Sequence, residues 1–248
     1  MLVGAMTAAM VTGCGSSADT SASTDAAAED TAADAEATED TAEAAEDTAA
    51  DAKSDLAYVK EKGTLVVGIT EFEPMDYKDE NGEWIGFDAD MAKAFAESLG
   101  VTAEFQVIDW DNKILELEGK TIDCVWNGMT LTDEVTSAME CTNAYLNNAQ
   151  VVVVPADVAD QYQDEESLKD LSFAVEAGSA GEAEVSALGL NYTPVSSQAD
   201  ALMEVASKSS DAAVIDSLMA GAMIGEGTGY ADLTYTIGLN SEEYGVGF

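Results

Sequence analysis

The chain of 248 residues contains no histidine and no arginine, only three cysteines and three prolines, and nine lysines against 49 aspartates and glutamates. Without histidine there is no Ser-His-Asp type of triad and no His-ligated zinc, because the commonest general base and metal ligand are both missing. Without arginine there is no planar fork to grip a carboxylate or phosphate with two parallel hydrogen bonds. A formal net charge of −40 repels phosphate backbones and anionic headgroups, so nucleic acid is not a partner. An apolar content of 47% is nevertheless ordinary for a globular protein and is enough for a sizeable core.

Much of the acid is gathered in one place. From Ser16 to about Asp55 the sequence is almost only Ala, Thr, Ser, Asp and Glu, with no aromatic and no large aliphatic residue before Leu56. Such a segment cannot bury enough apolar surface to offset its ordering entropy, and residues 15–55 are expected to be a solvated acidic tether. Ahead of it, residues 1–14 form a short apolar run ending in Val11-Thr12-Gly13-Cys14. This resembles the end of a bacterial lipoprotein signal peptide, which implies lipidation of Cys14 and anchorage to the membrane. No basic residue precedes the apolar run. Cys124 and Cys141 could pair in an extracytoplasmic compartment, but their apolar and small neighbours favour buried free thiols.

Beyond the tether, strand and helix signals alternate with short connections, an α/β pattern. Leu65 to Ile69 and Gln150 to Val154 are continuous apolar runs of the kind found in central strands. Asn81-Gly82 between Tyr77-Lys78 and Trp84-Ile85 predicts a two-residue hairpin. Asp88 is expected to cap a helix that carries Met91, Phe95 and Leu99 on one face and stops at Gly100. Further strands are expected at Val101 to Val107, Ile122 to Trp126, Phe173 to Val175 and Ala212 to Ile215. Helices are expected at Asn112 to Leu117, Ser167 to Leu171, Gly181 to Leu188, Gln198 to Ser207 and Ser217 to Ile224. Gly225-Glu226-Gly227-Thr228-Gly229 follows a helix and not a strand, so it is a turn and not a phosphate loop. Two α/β lobes fit this grammar better than one.

Several segments, in order, resemble the extracytoplasmic solute-binding proteins of polar amino acid ABC importers. They include Gly63-Thr64-Leu65-Val66-Val67-Gly68, Ile85-Gly86-Phe87-Asp88-Ala89-Asp90-Met91-Ala92, Asp109-Trp110-Asp111, Asn127-Gly128-Met129-Thr130-Leu131-Thr132-Asp133-Glu134, Gly178-Ser179-Ala180-Gly181-Glu182 and Tyr244-Gly245-Val246-Gly247-Phe248. The resemblance covers Leu56 to Phe248. It implies a type II periplasmic-binding-protein fold, with lobe 1 at 56–146 re-entered by 244–248, and lobe 2 at 147–243. Crossing strands are expected near Tyr145 to Ala149 and Asn240 to Tyr244, with a ligand cleft at the hinge. On this alignment the family continues past Phe248, so the sequence is expected to be C-terminally truncated, with part of the first lobe's core uncovered.

The same resemblance implies the site. Phe72 and Trp110 would flank the ligand's apolar part, though either could equally be core. Asn127, Gly128 and Thr130 would offer polar partners, in a stretch that is also a strand-to-helix turn with Thr132 as N-cap. Gly178 to Gly181, just before a helix and including the site residues Ser179 and Ala180, would present free N–H groups suited to a carboxylate. Asp216 would take an α-ammonium, with Glu71 as a supplement, although an acid after an apolar strand is also an ordinary helix cap. The family's carboxylate-binding arginine is replaced by Val135, which leaves Lys113 or backbone amides for that task, or a ligand without a carboxylate. A neutral or cationic amino acid or an amine follows as the expected solute.

The function implied is an ABC importer's substrate-binding lipoprotein on the outer face of the bacterial cell membrane. It would be a monomer, would work with permease subunits, and would need no cofactor, metal or catalytic residue. The rivals are a sensory or adhesive surface lipoprotein and an enzyme on the same scaffold. No paired acids stand in a recognisable catalytic motif.

Overall fold

The computed structural model describes residues 54–248. The expected signal remnant, the lipidation residue Cys14 and all of the tether but its last two residues lie outside them. Those two begin the fold. Ser54 accepts a hydrogen bond from the Ala57 backbone and caps helix α1 (Asp55–Lys62), which Gly63 ends in a left-handed conformation.

Two five-stranded mixed sheets follow. The first has the order β4-β1-β5-β12-β6, from strands β1 (Thr64–Ile69), β4 (Thr102–Val107), β5 (Cys124–Thr130), β6 (Leu146–Asn148) and β12 (Glu242–Gly247). The second has the order β11-β7-β10-β8-β9, from β7 (Gln150–Pro155), β8 (Ser172–Glu176), β9 (Asn191–Val195), β10 (Ala212–Asp216) and β11 (Leu233–Gly238). In the first sheet β1 runs parallel to β4 and β5, and β12 runs antiparallel to β5 and β6. The chain therefore leaves the first sheet through β6 and returns through β12, side by side at one edge, which is the geometry of a two-strand hinge. Both lobes are α/β, and the two-lobed periplasmic-binding-protein fold follows.

The continuous apolar runs are explained by burial on both faces. In the second sheet Val151 and Val153, with Ala213 and Ile215, face one core, while Val152 and Val154, with Ala212 and Val214, face another. The first core does not end at the lobe boundary. It takes in Phe72, Met75 and Tyr244 from the first lobe, with the Phe72 ring edge-on to Tyr244 at 6.5 Å. Cys124 and Cys141 are free thiols, and burial pushes both above the ordinary cysteine value.

Several local expectations are corrected. Strands β2 (Tyr77–Lys78) and β3 (Trp84–Ile85) do pair, Tyr77 opposite Ile85, but across five residues and not two. The Asp79 carboxylate organises that loop by accepting from the Asn81 and Glu83 backbones, which a tight two-residue turn does not need. Helix α2 (Phe87–Leu99) is N-capped by Gly86, and Asp88 lies buried inside its first turn. The buried face of α2 is Ala89, Ala92 and Ala96, while Met91 and Phe95 are exposed, because only small side chains let the helix lie close on the sheet. The strand expected to end at Trp126 runs on to Thr130. Strands β9 and β11 were not expected. Pro194 and Gly238 weaken their signal, and both sit at sheet edges where a missing donor or side chain is tolerated.

Gly86 has a φ of 122°, and a Cβ there would stand 2.2 Å from the Met75 carbonyl oxygen. G86A is therefore expected to lose at least about 2 kcal/mol through clash and backbone strain. Chemical denaturation checks this, and a loss under about 0.5 kcal/mol, typical of a neutral surface change, would contradict it.

Candidate functional site

A cavity of about 240 Å³ opens between the two sheets, lined from the first lobe by Thr70, Phe72, Trp110, Lys113, Asn127 to Thr130 and Thr132 to Val135. The second lobe contributes Gln150, Glu176, Gly178 to Ala180, Ala183, Gln198 and Asp216. At roughly 30 Å³ per water its volume is that of about eight waters, the scale of a single small solute and not of a peptide. Each lobe contributes the C-terminal ends of its parallel strands. Thr70 follows β1, Asn127 to Thr130 end β5, Glu176 ends β8 and Asp216 ends β10. In open α/β sheets ligands sit outside these carboxyl ends.

The first-lobe wall is built by side chains that tie loops together. Asn127 Oδ1 accepts from both Thr70 N and Thr70 Oγ1 at 2.8 Å, and its Nδ2 donates to Thr70 O and to Asp76 Oδ2. Its amide is consumed in holding the β1 and β5 loops, so Asn127 shapes the wall. Asp88, freed from capping α2, accepts from Gly128 N at 2.6 Å and from the Tyr145 hydroxyl at 2.7 Å. Gly128 has a φ of +55°, and a Cβ there would stand 2.5 Å from the Phe72 ring. Phe72 and Trp110 are both core residues and part of the cavity wall. Thr132 caps helix α4 (Asp133–Ala138), as expected, by accepting from Val135 N.

In the second lobe Asp216, 4% exposed, is held from every side. Its Oδ1 accepts from Gln150 Nε2, from the Tyr244 hydroxyl and from Asn148 Nδ2, and its Oδ2 accepts from Gln198 Nε2. The Asn148 and Gln150 amides also donate to Glu242 Oε1, at 2.6 and 2.8 Å, so that two carboxylates share two amides. Burial and then the Glu242 charge push the Asp216 carboxyl up to about 7. Because Asn148 lies on β6 and Glu242 and Tyr244 on β12, the network joins the cleft directly to the hinge strands.

Glu176 was not anticipated as a site residue. It is 2% exposed, lines the cavity, and its Oε1 has no hydrogen-bond partner. Burial and the nearby Asp216 charge push it up to about 8. Its signal was the one that singled out Asp216, an acid closing an apolar strand. Gln150 and Gln198 were also missed, since a glutamine beside or within an apolar run carries no distinctive pattern.

Other expectations are revised. Glu71 is exposed and lies outside the cavity lining. Ser179 caps helix α5 (Ala180–Ala187) by accepting from Glu182 N, and the Gly178 N–H, expected to be free, donates to Glu182 Oε2 at 2.7 Å. Lys113 stands 5.0 Å above the Trp110 ring and donates to Trp110 O at 3.3 Å and, across the cleft, to Gly178 O at 2.9 Å. Burial lowers its pKa, against the pull of nearby acids. The lobes touch here: a Cβ on Gly178 would lie 2.5 Å from Asp111 Cα, so the cleft is closed.

Residues 65–219 match the family of bacterial extracellular solute-binding proteins, family 3. The chain belongs to that family. Among its relatives, the arginine-binding extracellular protein ArtP of Bacillus subtilis is 30% identical over 167 residues, covering 64% of this chain and 63% of ArtP. The L-arginine-binding protein of Pseudomonas aeruginosa is 29% identical over 153 residues, covering 59% of this chain and 58% of that one. The alignments thus span less than two thirds of these relatives' lengths. Among solved structures, the P235GK mutant of ArgBP from T. maritima superposes with a TM-score of 0.72 at 33% identity, covering 77% of this chain and 84% of that one. The ancestral amino acid-binding protein AncCDT-1, a precursor of cyclohexadienyl dehydratase, gives 0.71 at 32% identity, covering 79% and 86%. The family is one of extracellular solute-binding proteins, so the chain is a solute-binding protein and the enzyme reading of the cleft is dropped.

Four buried acids of this family 3 protein set its pH response. Asp76, Glu176, Asp216 and Asp88 are raised to about 8, 8, 7 and 6, chiefly by burial. Carboxyls raised above their unfolded values bind protons more tightly in the folded state, so their stabilisation is complete at low pH and is lost as pH climbs through these values. The ligand-free protein should melt at least about 4 °C higher at pH 5 than at pH 8 by calorimetry. A melting temperature that is flat or rises between those pH values would overturn the assignment.

Proposed function

We propose that this family 3 chain is the solute receptor of an ABC importer, which closes around an amino acid or amine and delivers it to the permease. The observation that carries the proposal is the closed, solute-sized cavity with walls from both lobes and a Lys113 to Gly178 hydrogen bond across its mouth. The arginine-, histidine- and cystine-binding proteins among its relatives support the ligand class. In this reading the solute lies against Phe72 and Trp110, Thr130 and Ser179 offer hydroxyls and Ala180 its backbone, while the Gly128 and Ser179 N–H groups are already committed to Asp88 and to the Glu176 carbonyl. Asp216 contributes negative charge. Among the residues lining the cavity, Lys113 is the single cation against Asp133, Glu134, Glu176 and Asp216, which favours a cationic or neutral solute over an anionic one.

The proposal includes a lipid on Cys14, an acidic tether that ends before Ser54, and work as a monomer on the outer face of the cell membrane. Support for the anchor is the Val11-Thr12-Gly13-Cys14 pattern ahead of an acidic, core-less segment.

A thermal-shift screen against amino acids and amines tests the central claim. A solute that binds only the folded state adds about 2.7 kcal/mol at a hundredfold excess over its dissociation constant, and W110A should abolish the shift without unfolding the protein. If no amino acid or amine raises the melting temperature, the receptor reading fails. For the anchor, C14S expressed in the native host should move the protein from the membrane fraction to the medium or periplasm. Retention on the membrane by the variant would refute lipidation at that residue.

A further inference from the structure

We propose that Glu176, and not Asp216, is the carboxylate that receives the solute's ammonium or guanidinium group, which makes it the specificity-determining residue of the cleft. The inference rests on the receptor reading above and deepens it.

The two acids close equivalent positions, one at the end of β8 and one at the end of β10, strands that are paired in parallel. Their surroundings differ. A carboxylate offers about four lone-pair sites. Asp216 has four donors, three on Oδ1 and one on Oδ2, from Asn148, Gln150, Tyr244 and Gln198, all belonging to the protein. They come from the hinge strands β6 and β12, from β7 and from helix α6 (Gln198–Ala206), so the charge of Asp216 is already committed to bonds that hold the fold. Glu176 is buried to nearly the same degree, yet its Oε1 accepts nothing and the residue faces the cavity. A buried carboxylate oxygen without a donor is costly, and a donor supplied by the solute removes that cost.

Thr70 and Gln198 hydrogen-bond to the Glu176 side chain but leave its Oε1 without a donor. The Lys113 ammonium, the one cation lining the cavity, attracts Glu176 but donates to the carbonyls of Trp110 and Gly178 and makes no salt bridge among the described residues. Val135 is buried and apolar. The cavity that Glu176 faces is also lined by Phe72 and Trp110, and aromatic faces in the same enclosure favour a cation over a neutral group.

Isothermal titration of the full chain and of the E176Q and D216N variants with L-arginine, L-cystine and agmatine tests the assignment, alongside melting of each unliganded variant. Glutamine keeps the shape of the side chain and removes its charge. E176Q is expected to melt no lower than the parent and to bind whichever of the three compounds the parent binds at least about 30-fold more weakly, as when one partner of a buried charge pair is removed. D216N is expected to lower the melting temperature of the unliganded protein, as a member of the hinge network should. Binding by E176Q within about threefold of the parent, or loss of folding in E176Q, overturns the inference while leaving the receptor reading intact. Absence of binding of all three compounds to the parent overturns the inference, and the receptor reading then stands or falls on the wider thermal-shift screen.

Discussion

Two carboxylates buried side by side without a positive neighbour are the constraint on which this molecule turns. Asp216 and Glu242 share the amides of Asn148 and Gln150, and no salt bridge is made to either among the described residues. Like charges at this separation in a low dielectric repel strongly. The structure answers with donors: four on Asp216 and three on Glu242, from the sheets, helix α6 and Asn240 in the loop ahead of β12. The polar centre is thus the joint of the two lobes as well as a wall of the cavity. Asn148 and Glu242 stand opposite each other on the antiparallel hinge strands, and Asp216 reaches them from the second lobe. Any solute that changes the charge in the cavity changes the electrostatics of the hinge in the same step.

Closure is supported on the other side of the cavity by a different chemistry. The core that includes Phe72 and Tyr244 with Ile215 and Met219 passes from one lobe to the other without a break. Lys113 adds a charge-assisted bond to the Gly178 carbonyl, and the absence of a side chain at Gly178 lets the backbone meet Asp111. Lys113 thereby acts as a latch between lobes. A lysine with two of its three donors on carbonyls has little left with which to grip a carboxylate, which fits the lack of any arginine in the chain.

The fold was largely legible because its strands are buried on both faces. Runs such as Val151 to Val154 and Ala212 to Ile215 need no periodicity argument, and their position in the sheets is what their composition requires. Legibility failed where tertiary contacts overrode a local rule. Asp88 stands where a helix cap belongs, yet the chain uses it to hold Gly128 and Tyr145, leaving Gly86 to begin the helix. Met91 and Phe95 have helical spacing, but the sheet admits only the alanines. The hairpin signal at Asn81-Gly82 marked a turn but not its length, since Asp79 could organise a wider loop with its own carboxylate.

At the cleft the difference between lining a cavity and contacting a solute is a matter of unspent hydrogen-bonding capacity, and that is invisible in sequence. Asn127 and Glu176 both lie where a strand gives way to a loop. Asn127 uses both ends of its amide on Thr70 and Asp76, so its polarity is already committed to the scaffold. Glu176 keeps an oxygen without a donor. Position along the chain can nominate both, but only the geometry separates a polar group that builds the wall from one that still needs a partner. The second kind is where a binding protein holds the capacity to discriminate, because a solute that leaves the group unpaired forfeits the desolvation cost of bringing it there.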